Sequence, residues 1–308
     1  MLALLLVPLV LPWILPPLAR RAAARVRPEA ALWTVTAAAG LLAVAVVACL
    51  GALLLPLALA IAPLAALLHL IRPLQAGPEP VALGISALSA GLVAVTGATV
   101  VRRGLSEAKR LRGAHGDVAH LPHVGGLCVL EDSRPDAYAL PGLTGPGRIV
   151  VTSGMLRSLD PGEREALLAH ERAHLAARHH LFLAVAQLAG WCHPALAAVV
   201  PQVQFAAERA ADESAARVTG SRTLTARAVG RAALAATRGG PRPGGSVLAA
   251  GAVTGPVPAR VKALLGHAPV RWVAPVLLAV ALLCTTAGAS ALSGAVWLHR
   301  GVETAQGE

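Results

Sequence analysis

The sequence predicts a multi-span α-helical membrane protein with a mainly helical α+β domain inserted before the last span. Three observations predict it. Apolar runs near 1–19, 31–55, 81–101 and 272–298 are each close to the length that crosses a hydrocarbon core, about 20 residues. Arginines gather at one flank of these runs, and most of the polar sequence falls between 102 and 271. Within that polar stretch, His170 and His174 stand one helical turn apart.

Residues 1–19 are almost wholly apolar and end at Arg20-Arg21. A secretory signal carries its charge ahead of the apolar run, so this one reads as an uncleaved first span with its N-terminus outside. Arg20, Arg21, Arg25 and Arg27 then lie in the cytoplasm. The stretch from Ala31 to Ile71 is too long for one span, and Pro56 and Pro63 interrupt its later half. Arg102, Arg103, Lys109, Arg110 and Arg112 follow the next apolar run, whereas the 72–80 loop carries only Arg72 and Glu79. Two arginine-rich flanks on one side require an even number of spans between them. That makes 31–55 the second span, 81–101 the third, and 57–71 a broken, partly embedded outer helix. Residues 1–101 are thus an N-terminal membrane region, 102–271 a cytoplasmic domain, 272–298 a fourth span and 299–308 a short external tail.

The domain begins with short strand-like runs at 125–131, 137–140 and 148–152, with a turn-rich piece at 142–147. Arg148, Ile149, Val150, Val151 and Thr152 are the candidate edge strand on which a peptide could lie by strand addition, a plain core strand being the alternative. A helix follows. Asp160 suits its N-cap, Pro161 its first position, and Glu163 can close a capping box. Good helix formers then run past Ala177 with no Gly or Pro before Gly190. Residues 181–203 are apolar but broken by Gly190, Pro194 and Pro201, which suggests a shallow helical hairpin that returns the chain to the same side. A second polar helix runs to about Arg238, and 239–258 is a Gly/Pro-rich loop.

His170-Glu171-Arg172-Ala173-His174 puts two imidazoles on one helix face, with Glu171 beside any metal they hold and placed to take a proton from water. This is the H-E-x-x-H pattern of zinc peptidases. Downstream, Glu208 and Asp212 share a face of a later helix. One can bind the metal while the other accepts the free ring N–H of a ligand histidine. A helix-face pair with Arg209 is the plainer role for Asp212. His179 and His180 read as surface or interfacial residues, and His193 as structural. Tyr138, the only tyrosine, is a candidate transition-state stabiliser, with a packing role as the alternative.

The net charge of +11 comes without helix-turn-helix or zinc-finger spacing, so topology accounts for it and nucleic acid is not expected. Four scattered cysteines form no CxxC pair and give no disulfide framework or cysteine zinc site. The intramembrane charge that transport pathways carry is nearly absent.

The histidine motif, Gly190-Trp191-Cys192-His193-Pro194, and Glu208 with Asp212 resemble the BlaR/MecR-type integral membrane zinc metallopeptidases. So do Asp136-Ala137-Tyr138-Ala139-Leu140-Pro141-Gly142, Arg148 to Gly154, and Arg260-Val261-Lys262-Ala263-Leu264-Leu265. The likeness is to short members without the C-terminal penicillin-binding sensor domain. It implies a zincin-like cytoplasmic domain holding one Zn2+ per chain on His170, His174 and Glu208, with Glu171 as catalytic acid/base and Asp212 behind the ligands. It implies a multi-pass protein of the cell membrane, both termini outside, that cleaves a cytoplasmic protein in signal-regulated proteolysis. The substrate would be itself or a transcriptional repressor of the BlaI type. A quality-control protease similar to CAAX-type or HtpX-type enzymes is the alternative. A non-catalytic, zinc-stabilised signalling scaffold is another, although such a site has no use for Glu171.

Overall fold

The computed structural model describes residues 7–54, 57, 79–142, 145–239, 256–266 and 285. The expected outer helix at 57–71, the span at 272–298 and the tail at 299–308 lie outside the described residues, Leu57 and Thr285 apart.

The first expected span is not one straight helix. A 3-10 turn at Leu11–Ile14 gives way to α1, Leu15–Arg25, in a stretch holding Pro8, Pro12, Pro16 and Pro17. α1 runs on through Arg20 and Arg21 and buries Leu15, Ala19, Ala22 and Ala23. Among the described residues the chain is helical, with the 3-10 turn included, from residue 7 to Arg25. Two helices have the length and apolar character to cross a membrane: α2, Pro28–Leu53, and the part Leu83–Val118 of α3, Glu79–Val118. They contain most of the second and third expected spans. In its most apolar window α2 is 56% buried and α3 only 11%, so most of that part of α3 is not covered by the rest of the chain. α3 does not stop at Val101. It continues through the basic flank, and Leu111, Ala114 and Val118 at its far end pack on the sheet. The boundary expected between 101 and 102 therefore falls inside a helix.

The sheet has the order β1-β2-β4-β3. Its strands are β1 His123–Val124, β2 Leu127–Leu130, β3 Ala137–Leu140 and β4 Arg148–Thr152. β4 runs parallel to β2, with Leu127 opposite Ile149, and antiparallel to β3, with Tyr138 opposite Val150. The segment 148–152 expected as a substrate-binding edge is therefore interior, with both of its edges taken by neighbouring strands. Among the described residues the edge on that side is β3. Side chains alternate across a strand. Ala137 and Val151 face Met155, Leu159 and Leu167 on one side, while Tyr138, Leu140, Val150 and Cys128 face Val118 of α3 on the other.

After α4, Ser153–Ser158, come α5, Pro161–Ala176, and α6, His179–Cys192. The Glu163 carboxylate accepts the Asp160 backbone N–H at 3.0 Å, as the expected capping box requires. Arg231 bonds to both Asp160 and Glu163, tying the start of α5 to α9, Arg222–Gly239. The expected uninterrupted helix past Ala177 is broken. Arg178 adopts φ 52°, a left-handed conformation uncommon for a non-glycine residue, and the chain reverses into α6.

α6 ends at His193, whose Nδ1 accepts the Ala195 N–H and so caps the short α7, Pro194–Ala197. α8, Val200–Thr219, then brings the chain back, as a helical hairpin would. A Cβ on Gly190 would meet the Ala197 Cα at 2.9 Å, which is backbone and cannot swing aside. Gly190→Ala is expected to destabilise the fold by about 1–3 kcal/mol, read as a lowered melting temperature in detergent. An unchanged melting temperature would show that the turn has slack.

α8 is the central helix. Val203, Ala206 and Ala207 join Leu15, Leu42, Leu183 and Leu196 in one core cluster. Arg209, nearly buried, donates to the Ala23 carbonyl at 2.5 Å and clamps α8 to the end of α1. On its other sides α8 packs against α5, both helices burying several alanines, and against α10, Val257–Leu265.

Candidate metal centre

The site is made where α5 and α8 meet. The first contributes His170, Glu171 and His174 and the second Glu208 and Asp212, all at most 2% exposed. His170 Nε2 and His174 Nε2 lie 3.1 Å apart. Glu208 closes the triangle, with Oε2 at 3.4 Å from His170 Nε2 and Oε1 at 3.5 Å from His174 Nε2. Tetrahedral ligands at the usual zinc bond lengths of 2.0–2.1 Å are about 3.3 Å from one another. His170, His174 and Glu208 therefore have the spacing that one metal ion needs, and they are the group among the described residues that could hold one.

Both imidazoles are also held from behind. His170 Nδ1 is 2.9 Å from Asp212 Oδ1, and His174 Nδ1 is 2.9 Å from His179 Nδ1. When Nε2 is the ligand atom, Nδ1 carries the proton, so each ring donates to its partner and its tautomer is fixed. Asp212 thus sits behind a ligand, and its guanidinium partner is Arg260, not Arg209. Arg260 Nε donates to Oδ2 at 2.8 Å and Nη2 to Oδ1 at 2.7 Å. Arg260 Nη1 also reaches Glu208 Oε2 at 2.9 Å.

The charges follow from these contacts. Burial alone would push His170 down, but the hydrogen bonds it donates to Asp212 and Glu208, and their charges, carry its pKa up to about 10. A proton there occupies the place that a cation would take between the same carboxylates. His174 has no carboxylate bond to compensate, and burial, with the positive neighbours, lowers it to about 3 despite Glu208. Burial likewise lowers His179 to about 4. Burial would raise Asp212 and Glu208. Arg260 and the histidines more than reverse this, so both carboxyls stay ionised.

Two residues here carry roles that the sequence reading did not give them. His179, taken as a surface residue, is buried and bonded to His174, because the reversal at Arg178 turns it inward. Arg260, singled out in the sequence as part of a resembling stretch, is fully buried in the site. Tyr138, by contrast, lies on the sheet face that packs on α3, whereas Leu167 of α5 covers the opposite face. That alternation puts Tyr138 on the α3 side of the sheet, in keeping with the packing role expected as its alternative.

Residues 109–268 match the model of peptidase family M48, a metallopeptidase family. The match does not single out the BlaR/MecR-type members. No curated protein and no solved structure matches the chain. The matched residues carry both helices of the candidate centre and the helix that supplies Arg260, and they make up more than half of the chain, which belongs to peptidase family M48.

Proposed function

We propose that the protein is a zinc-dependent endopeptidase, with His170, His174 and Glu208 as ligands and Glu171 as the acid/base. The observation that carries the reading is that His170, His174 and Glu208 each offer a ligand atom within 4.8 Å of the others, inside a chain of family M48. Three protein ligands leave a fourth position open, as catalytic zinc sites do. Zinc bound there would act as a Lewis acid on the scissile carbonyl and make water more acidic. Glu171 accepts the proton of the attacking water and returns it to the departing amine. Asp212 and His179 keep the two ligand rings from turning.

The cell membrane is the proposed location, with α2 and α3 as spans, the segment 272–298 as a further one, and the peptidase domain on the cytoplasmic side. The long apolar surface of α3 supports this, as does the run of exposed Arg102, Arg103, Lys109, Arg110 and Arg112 directly after it. Signal-regulated cleavage of a cytoplasmic protein, itself or a BlaI-type repressor, is the proposed role. The quality-control alternative, in which unfolded membrane proteins are cut without a dedicated signal, fits the same family match.

The test uses the full chain in nanodiscs. Stripping divalent metal with a chelator is expected to abolish self-cleavage and cleavage of a supplied repressor or unfolded membrane protein, and added Zn2+ to restore it. Cleavage that survives full metal removal would overturn the reading.

A further inference from the structure

We propose that Arg260 is a positioning residue of the metal centre: its guanidinium fixes the Glu208 carboxylate and, through Asp212, the ring of His170, in the arrangement that takes the metal. The proposal rests on the reading of His170, His174 and Glu208 as ligands, and the test separates the two.

Arg260 is 0% exposed and stands on α10, a nine-residue helix outside the α5–α8 pair that carries the ligands. A guanidinium gives up its hydration to be there, and such burial is tolerated only with full pairing. The pairing is specific. One edge of the planar group makes a two-bond fork with Asp212, at 2.7 and 2.8 Å, and Nη1 reaches Glu208 at 2.9 Å. One rigid group therefore spans two carboxylates a helical turn apart on α8, which a lysine ammonium cannot do with this geometry.

The contacts have consequences for both ligands. With Glu208 Oε2 held by Arg260, the carboxylate cannot rotate freely, and Oε1 stays beside His174 Nε2. With Asp212 held at both oxygens, Oδ1 is fixed against His170 Nδ1. α10 is itself anchored, because Arg222 donates to the Ala263 and Leu264 carbonyls at 2.8 and 2.9 Å, and Leu264 is buried among Ala216, Ala226 and Val229.

Charge and position predict opposite outcomes. As a charge alone, a cation beside the site repels a second cation, so its removal should tighten metal binding. As a positioning group its removal should weaken binding, because the ligands lose their fixed directions.

The experiment measures metal affinity by chelator competition, together with the visible absorption of the cobalt(II)-substituted protein, for the full chain in nanodiscs. Arg260→Met is expected to weaken binding roughly 10- to 100-fold and to change the shape of the cobalt bands, which report ligand geometry. Arg260→Lys, which keeps the charge and guards against a variant that fails to fold, is expected to bind more weakly than wild type as well. Added methylguanidinium is expected to restore affinity to Arg260→Ala. Wild-type affinity and wild-type cobalt bands in Arg260→Met, or tighter binding, would overturn the proposal. Absence of metal binding in the wild type would instead overturn the ligand assignment beneath it.

Discussion

Glu171→Gln is expected to leave the metal bound and to lower proteolysis by about two to four orders of magnitude, the contribution typical of a positioned general acid/base. Glu171 follows the first ligand on α5, where the backbone is fixed by the capping box at one end and the reversal at Arg178 at the other. It is fully buried on the same helix as the two histidine ligands, next in sequence to the first of them. Glutamine has the same shape and leaves His170, His174 and Glu208 untouched, but it cannot accept a proton. Counting self-cleavage fragments and metal per chain in the same preparation separates the two effects. Undiminished cleavage would remove Glu171 from the mechanism. Loss of metal as well as cleavage would make it part of the binding site.

The second large effect is expected at Glu208. Apparent zinc-binding energies of roughly 10–16 kcal/mol over four ligands assign about 3 kcal/mol to each. That is about 100-fold in affinity. Glu208→Ala should lose at least this much, and it also strips one partner from a buried guanidinium, which costs about 3–5 kcal/mol of stability. Glu208→Gln keeps an acceptor for Arg260 while weakening the ligand, so it should stay folded and still lose affinity. His174→Ala should lower metal occupancy too, without touching Arg260. Metal bound at wild-type affinity in Glu208→Gln would point to a different third ligand.

These expectations rest on features that were readable in the sequence to different degrees. The start of α5 was legible because Asp160, Pro161 and Glu163 act through bonds within four residues. His170, His174, Glu208 and Asp212 were legible because each pair obeys the period of a single helix. Strand 148–152 was marked by its β-branched residues and the turn-rich piece before it, yet the order of the strands was not. The parallel pairing of β2 with β4 joins segments about 20 residues apart and places Arg148–Thr152 inside the sheet. The same register turned Tyr138 toward α3. The reversal at Arg178 had no glycine or proline to announce it, so His179 went unrecognised. Arg260 pairs with Asp212 across 48 residues, and no local pattern links them.

The most direct measurement of the central claim is X-ray absorption at the zinc edge on the wild-type chain. The account predicts about one zinc with a nitrogen and oxygen shell near 2.0–2.1 Å and imidazole scattering from two rings. A sulfur shell near 2.3 Å, which would bring a cysteine into the site, or the absence of zinc after saturation, would contradict it.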